Sequence, residues 1–278
     1  MLLFLFCSAL IGHSKERDVL LVSMPKSGSN FFADTLIKSN PNICYKHEYF
    51  NRIQTTQMAD FLNITLKKLY AEYFFALELT EEQFSTIYKK TWQREPKANF
   101  TKEVFSGFRV HLMQNYFTTF ALYRHRKYTF PTFSSHLFLP LYKSFESIKF
   151  KNPELAAIKE FVVNTTITDQ EKECAIHTVT NFLMLRECGR YNLPVIDYDK
   201  IMELSGKALH DYLEARVPHQ LFSPSLAITV ELERNDEQFL EKRLERYHAS
   251  GLEPYCQNLI TFLKEFDPEM PYWFLFDL

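Results

Sequence analysis

A chain of 278 residues with 46% hydrophobic and 24% charged positions can bury one substantial core, which argues for one elaborated globular domain rather than two independent ones. A formal charge of −2 and a pI near 6.5 exclude a global basic field that would attract nucleic acid or anionic membrane, so any anion site is local. The 27 Phe and 15 Tyr suit an aromatic core or an acceptor cleft lined with rings, and the core is the plainer reading.

The apolar run from Met1 to Gly12 is too short to span a bilayer but matches a signal h-region in length, with Ser8, Ala9 and Gly12 as small residues near a cleavage site. A positive n-region is missing. Residues 1–17 are therefore expected to be signal-like or disordered, residues 18–278 to form the domain, and no stable membrane span is expected. Asn63-Ile64-Thr65, Asn99-Phe100-Thr101 and Asn164-Thr165-Thr166 are glycosylation triplets only if the chain enters a secretory lumen. The lumen and the cytoplasm both stay open at this point.

Asp18 to Ser23 has the length and apolarity of a strand, Met24 to Asn30 reads as a tight loop, and Phe31, Phe32, Leu36 and Ile37 set a helical period. Ser29 or Asn30 is expected to cap that helix, and Ser39-Asn40-Pro41 to end it. A second strand leads into Tyr45 to Phe50, and Thr55 to Lys90 reads mostly helical, making an insertion over about residues 51–103. Val104 to His111, Thr118 to Arg124 and Pro194 to Tyr198 read as further strands, the last after a helix around Cys174 to Tyr191. This alternation predicts an α/β fold: a P-loop-like parallel sheet flanked by helices, with a helical insertion and a ligand site at the carboxyl ends of the strands.

Cys7, Cys44, Cys174, Cys188 and Cys256 lack CxxC spacing, so they suggest neither a zinc site nor a dense disulfide framework and read mostly as buried thiols. The histidines, among them His47, His125 and His177, lack metal-ligand spacing, and no metal is expected.

Pro25-Lys26-Ser27-Gly28-Ser29-Asn30 carries the chemistry. Gly28 permits close backbone approach, successive amides at a helix start form a nest for phosphate-like oxygens, and Lys26 adds a mobile charge. The lysine precedes the glycine and no glycine opens the motif, so GxxxxGK[ST] is a poor match. The plain alternative is a polar turn that starts a helix. Lys-Ser-Gly-Ser after a strand resembles the 5′-phosphosulfate loop of sulfotransferases that use 3′-phosphoadenosine 5′-phosphosulfate (PAPS).

Three later segments extend the resemblance, which covers about residues 18–50 and 104–200. Glu48-Tyr49-Phe50 resembles the Glu-Tyr-Phe of bacterial trehalose sulfotransferase-like enzymes, which implies Glu48 as general base. Ser106 to His111 is similar to their Gly-x-Lys-x-His stretch, with Arg109 in place of the lysine and His111 as the rival base. Phe120 to Lys127, followed by Thr132 and Ser134, is similar to the strand-Arg-(x)₇-Ser element of the 3′-phosphate site, in two registers: Arg124 with Thr132, or Arg126 with Ser134, the latter preferred. Pro131 disturbs both. Val195 to Tyr198 is similar to the family's late strand. The C-terminal Arg-Lys-Gly of the cytosolic branch is absent, and Lys242, Arg243 and Arg246 are its possible substitutes.

The resemblance implies sulfuryl transfer from PAPS to a hydroxyl of a small molecule, glycan or glycolipid. Lys26 would meet the leaving oxygen, and Ser27, Gly28, Ser29 and Asn30 would hold the 5′-phosphate. Glu48 or His111 would take the acceptor's proton. The rivals are a nucleotide or small-molecule kinase, in which Asp197 would be a Mg²⁺ ligand, and an inactive relative that binds a glycan or partner.

Overall fold

The computed structural model describes residues 17–40, 42–47, 81–82, 85–86, 89, 99–104, 114–129, 138–221 and 237–276. Among these, five strands form an all-parallel sheet in the order β2-β3-β1-β4-β5, with helices on both faces. The strands are β1 (Asp18–Ser23), β2 (Tyr45–His47), β3 (Phe100–Val104), β4 (Phe117–Tyr123) and β5 (Val195–Asp197). The chain crosses over β1 between β3 and β4, and β1 pairs with both: Val22 lies opposite Glu103 on one side and Ala121 on the other. The crevice at the carboxyl ends of β1, β3 and β4 is where open α/β sheets take ligands.

Both sides of β1 are buried, so its run is apolar throughout rather than alternating. Val19 and Leu21 face helix α1 (Ser29–Ser39) through Phe32, Ala33 and Leu36. On the same face lie α6 (Tyr198–Glu203) and α7 (Gly206–Glu214), through Ile201, Leu209 and Leu213. Leu20 and Val22 face a larger core with Ala121 and Tyr123 of β4. It is built by α3 (Phe138–Ser147), α4 (Pro153–Thr165), α5 (Asp169–Arg190) and α9 (Glu253–Lys264). The short α2 (Arg126–Thr129) follows β4, and α8 (Glu237–Ala249) packs on it.

Helix α5 is the spine of that second layer, with an almost unbroken buried stretch from Glu173 to Arg186. Its start is fixed by a capping box: Thr168 Oγ1 accepts from Glu171 N–H (3.1 Å), and Glu171 Oε2 accepts from Thr168 N–H (2.7 Å). Asn152 caps α4 with its side-chain oxygen, which accepts from Glu154 N–H and Leu155 N–H, and Pro153 lies in the first turn, where a missing N–H costs nothing. A disulfide joins Cys174 of α5 to Cys256 of α9. This corrects the expectation of buried thiols for that pair; Cys188 remains a buried thiol, its pKa pushed up by burial, and Cys44 an exposed one. Cysteines 82 positions apart carry no spacing signature from which the bond could be read.

Strand β1, helix α1, the Asn40 end of that helix, β4, β5 and α5 fall where the sequence puts them. The third strand does not: it begins at Phe100, inside the span assigned to a helical insertion, and only Val104 belongs to both versions. Lys102 and Glu103 disguise it, since a strand between two others is expected to be apolar. Lys102 is tolerated because its stem is buried while its ammonium reaches Asn30 Oδ1 at the start of α1. The remainder of the expected insertion, and the stretch from Phe105 to His111, lie outside the described residues apart from isolated positions between 81 and 89. No helix among the described residues is long and apolar enough to cross a membrane.

Candidate functional site

The loop leaves the carboxyl end of the central strand and turns at once into α1. Both Lys26 (φ 66°) and Gly28 (φ 83°) are left-handed, on either side of Ser27, giving the alternation from which backbone N–H nests are built. For lysine this conformation is costly, and such strain is kept where surrounding structure imposes it. Gly28 is the residue before the helix and its carbonyl accepts Phe32 N–H (3.0 Å), so the expected Ser29 or Asn30 cap is replaced by a glycine cap. Ser29 is buried in the first turn, and Asn30 is held by Lys102. The first N–H groups of α1 thus have no side-chain cap, in a helix with no acidic residue in its first turn. Ser27 Oγ is buried with no hydrogen-bond partner among the described residues, an orphan polar atom inside the loop. Lys26 is exposed beside it.

The rear wall comes from far along the chain. A Cβ on Gly28 would lie 2.7 Å from the Tyr198 ring, so glycine is required there by space as well as by φ. The Arg124 guanidinium sits 4.7 Å from the centre of the same ring. Arg124 Nε is 3.6 Å from Asp199 Oδ1, an ion pair longer than a hydrogen bond, while Asp199 Oδ2 accepts His125 N–H at 2.8 Å. Burial raises the Asp199 pKa to about 7 against the opposing pull of that N–H and of Arg124. Asp197 caps α6 by accepting Asp199 N–H at 3.0 Å. Arg243 approaches from α8, donating to Tyr128 O at 2.6 Å, and its pKa is lowered by burial and by Arg124. Two neighbouring guanidiniums, with the charge of Arg124 helping to lower the pKa of Arg243, are an arrangement that favours a bound anion.

Arg126 goes elsewhere. Its side chain is 2% exposed, with Nε donating to Tyr247 Oη (3.1 Å) and Nη1 to Phe276 O (3.5 Å). Behind it His177 lies against Thr129 and Asn181, and burial followed by Arg126 lowers its pKa to about 3. His125 is likewise kept neutral by burial, then by Arg126 and Lys127. These are the surroundings of core imidazoles rather than proton shuttles.

The structure thus brings Lys26, Ser27, Gly28, Ser29 and Arg124 to one end of the sheet, joined through Tyr198, and directs Arg126 toward the C-terminal segment. Glu48, Arg109, His111, Thr132 and Ser134 lie outside the described residues. Tyr198 and Asp199 are the additions that sequence reasoning did not assign to the site; of the possible substitutes Lys242, Arg243 and Arg246, it is Arg243 that reaches Tyr128 O and lies near Arg124, which the sequence did not distinguish. A groove of about 580 Å³ along the β5 edge is lined by Pro194, Tyr212, Arg216, Tyr272 and Phe274, among others, and includes no residue of the Lys26 to Asn30 loop. Comparison of the chain with protein-family models, with curated proteins and with solved structures finds no match.

Proposed function

We propose that the chain is a PAPS-dependent sulfotransferase of P-loop-like architecture, acting on a hydroxyl of a carbohydrate or glycolipid. The observation that carries the reading is the loop at the end of the central strand: a glycine-capped helix start, an orphan buried hydroxyl at Ser27, and the Tyr198-backed Arg124 beside it. A ligand with two separated anionic groups suits a nest at one position and a guanidinium pair at another. PAPS supplies the activated sulfuryl group.

The 5′-phosphate end is assigned to the Gly28 to Asn30 amides and the Ser27 hydroxyl, the Ser27 amide being turned onto Met24 O, and charge growing on the leaving oxygen to Lys26. The second phosphate is assigned to Arg124, in preference to the buried Arg126, with Arg243 adjoining. Glu48, the residue after β2 in the chain, is assigned to accept the acceptor's proton, with His111 as its rival. A kinase reading draws less support: Asp197 is engaged as a helix cap, and Asp199 by Arg124 and the His125 amide, so neither is disposed as an open Mg²⁺ carboxylate.

Thermal stabilisation by 3′-phosphoadenosine 5′-phosphate (PAP), against ATP with Mg²⁺, tests the proposal. PAP is expected to raise the melting temperature of wild type and not of Lys26→Ala, and labelled PAPS to pass its sulfuryl group to an acceptor mixture. A response to ATP with Mg²⁺ alone would support the kinase, and a folded protein indifferent to both would support a binding protein.

A further inference from the structure

Two features unrelated to the anion loop point to one compartment. Cys174 and Cys256 are fully buried and bonded to each other, and a structural disulfide of this kind forms and persists where the surroundings are oxidising. The triplet Asn164-Thr165-Thr166 ends α4 within the same layer, with Asn164 exposed on its last turn and the chain continuing into an open turn at Ile167, which is 83% exposed. We propose that the protein matures in the secretory lumen and carries an N-linked glycan on Asn164.

In the transfer, the Asn164 amide nitrogen attacks the anomeric carbon of a lipid-pyrophosphate-linked oligosaccharide. A C–N glycosidic bond forms, the C–O bond to the lipid pyrophosphate breaks, the amide loses one proton, and nothing is oxidised or reduced. Timing follows from the hydroxyl at the third position of the triplet. In the folded chain Thr166 Oγ1 donates to Val162 O (2.8 Å) and lies 2.6 Å from the Tyr142 hydroxyl, so the triplet is closed into the end of α4. Modification therefore precedes closure of that helix, and the finished glycan projects from an exposed position where it displaces no core contact.

Asn99 serves as a contrast. Its carbonyl accepts Val19 N–H at the start of the sheet, and Thr101 is fully buried in β3 with its hydroxyl on Lys46 O. Asn99 is itself exposed, but its triplet runs into β3, which pairs with both β1 and β2, whereas the Asn164 triplet ends a surface helix, so Asn164 is assigned as the occupied site.

The full chain expressed in cultured eukaryotic cells tests this independently of any nucleotide. Peptide N-glycosidase is expected to increase its gel mobility. In a background carrying Asn63→Gln and Asn99→Gln, that shift should be kept, also with Thr166→Ser, and lost on adding Asn164→Gln or Thr166→Ala. In denaturant, Cys174 and Cys256 should resist alkylation until reduced. An unshifted wild-type band, a shift unchanged on adding Asn164→Gln to that background, or alkylation of both cysteines without reductant would each overturn the proposal.

Discussion

Arg124 and Arg126 stand two positions apart after the same strand and end on opposite sides of it. In a continuing strand, residues at this spacing share a face. Strand β4 stops at Tyr123 and α2 starts at Arg126, so the parity breaks between them. Arg124 turns toward Tyr198 and the glycine loop, on the thin side of the sheet; Arg126 turns into the thick side, among Tyr247, His177 and Phe276. The lesson is that a basic cluster at a strand end divides into a loop-facing and a core-facing member, and residue type does not say which is which. The side opposite the loop is expected to govern stability, and the loop side ligand response.

The largest test of that division is the disulfide on the thick side. With a sequence separation of 82, Cys174→Ala with Cys256→Ala should lower stability by about 4 kcal/mol in chemical denaturation, with wild type under reducing conditions falling equally. Next, Arg126→Ala should cost about 2 kcal/mol, since it empties a buried volume and strips the Tyr247 hydroxyl of a donor, partly offset by removing a buried charge whose Nη2 has no hydrogen-bond partner among the described residues, while the folded fraction keeps its PAP response. Loss of PAP binding without loss of stability would reverse the two roles. Gly28→Ala should cost about 2 kcal/mol by driving a Cβ into the Tyr198 ring at positive φ, and should abolish the PAP response.

Arg124→Ala should cost about 1 kcal/mol, since Asp199 loses its nearest cation and Tyr198 a ring contact, but weaken PAP about tenfold by calorimetry. The smallest effect concerns pH. Asp199 holds its proton up to about pH 7 in the fold, whereas an unfolded aspartate releases it near about pH 4. The folded state therefore binds the extra proton between those values, and this group's contribution falls as pH rises from about 4 to 7. Asp199→Asn should accordingly compare better with wild type at pH 8 than at pH 5 in urea titrations. His177 contributes with the opposite sign, losing stability as pH falls from about 6.5 toward 3, but it is common to both proteins and cancels.

The parts of the molecule legible in sequence are those where local pattern and tertiary demand agree. An unbroken apolar run, a glycine loop and a helical period leave one reading for Asp18 to Ser39, and β4, β5 and α5 are equally plain. Strand β3 was hidden because Lys102 looks solvated until Asn30 is known to lie beside it. The loop was legible as a tight glycine turn from strand to helix, yet its wall was not, since Val195 to Tyr198 read only as a late strand and nothing in it says that the Tyr198 ring rests against Gly28. The arginine register was undetermined for the reason given above: the strand end decides it.

The Gly28 to Tyr198 contact also bears on when the loop acquires its shape. During synthesis, β1 and its loop emerge first, but the ring against which the glycine rests arrives only after β4 and the long α5 helix have been made. An N-terminal fragment therefore holds the loop's residues without its wall. The loop's final shape becomes a late property of the nascent chain, and the contact reports that the β1 loop has docked with a segment made about 170 residues after it.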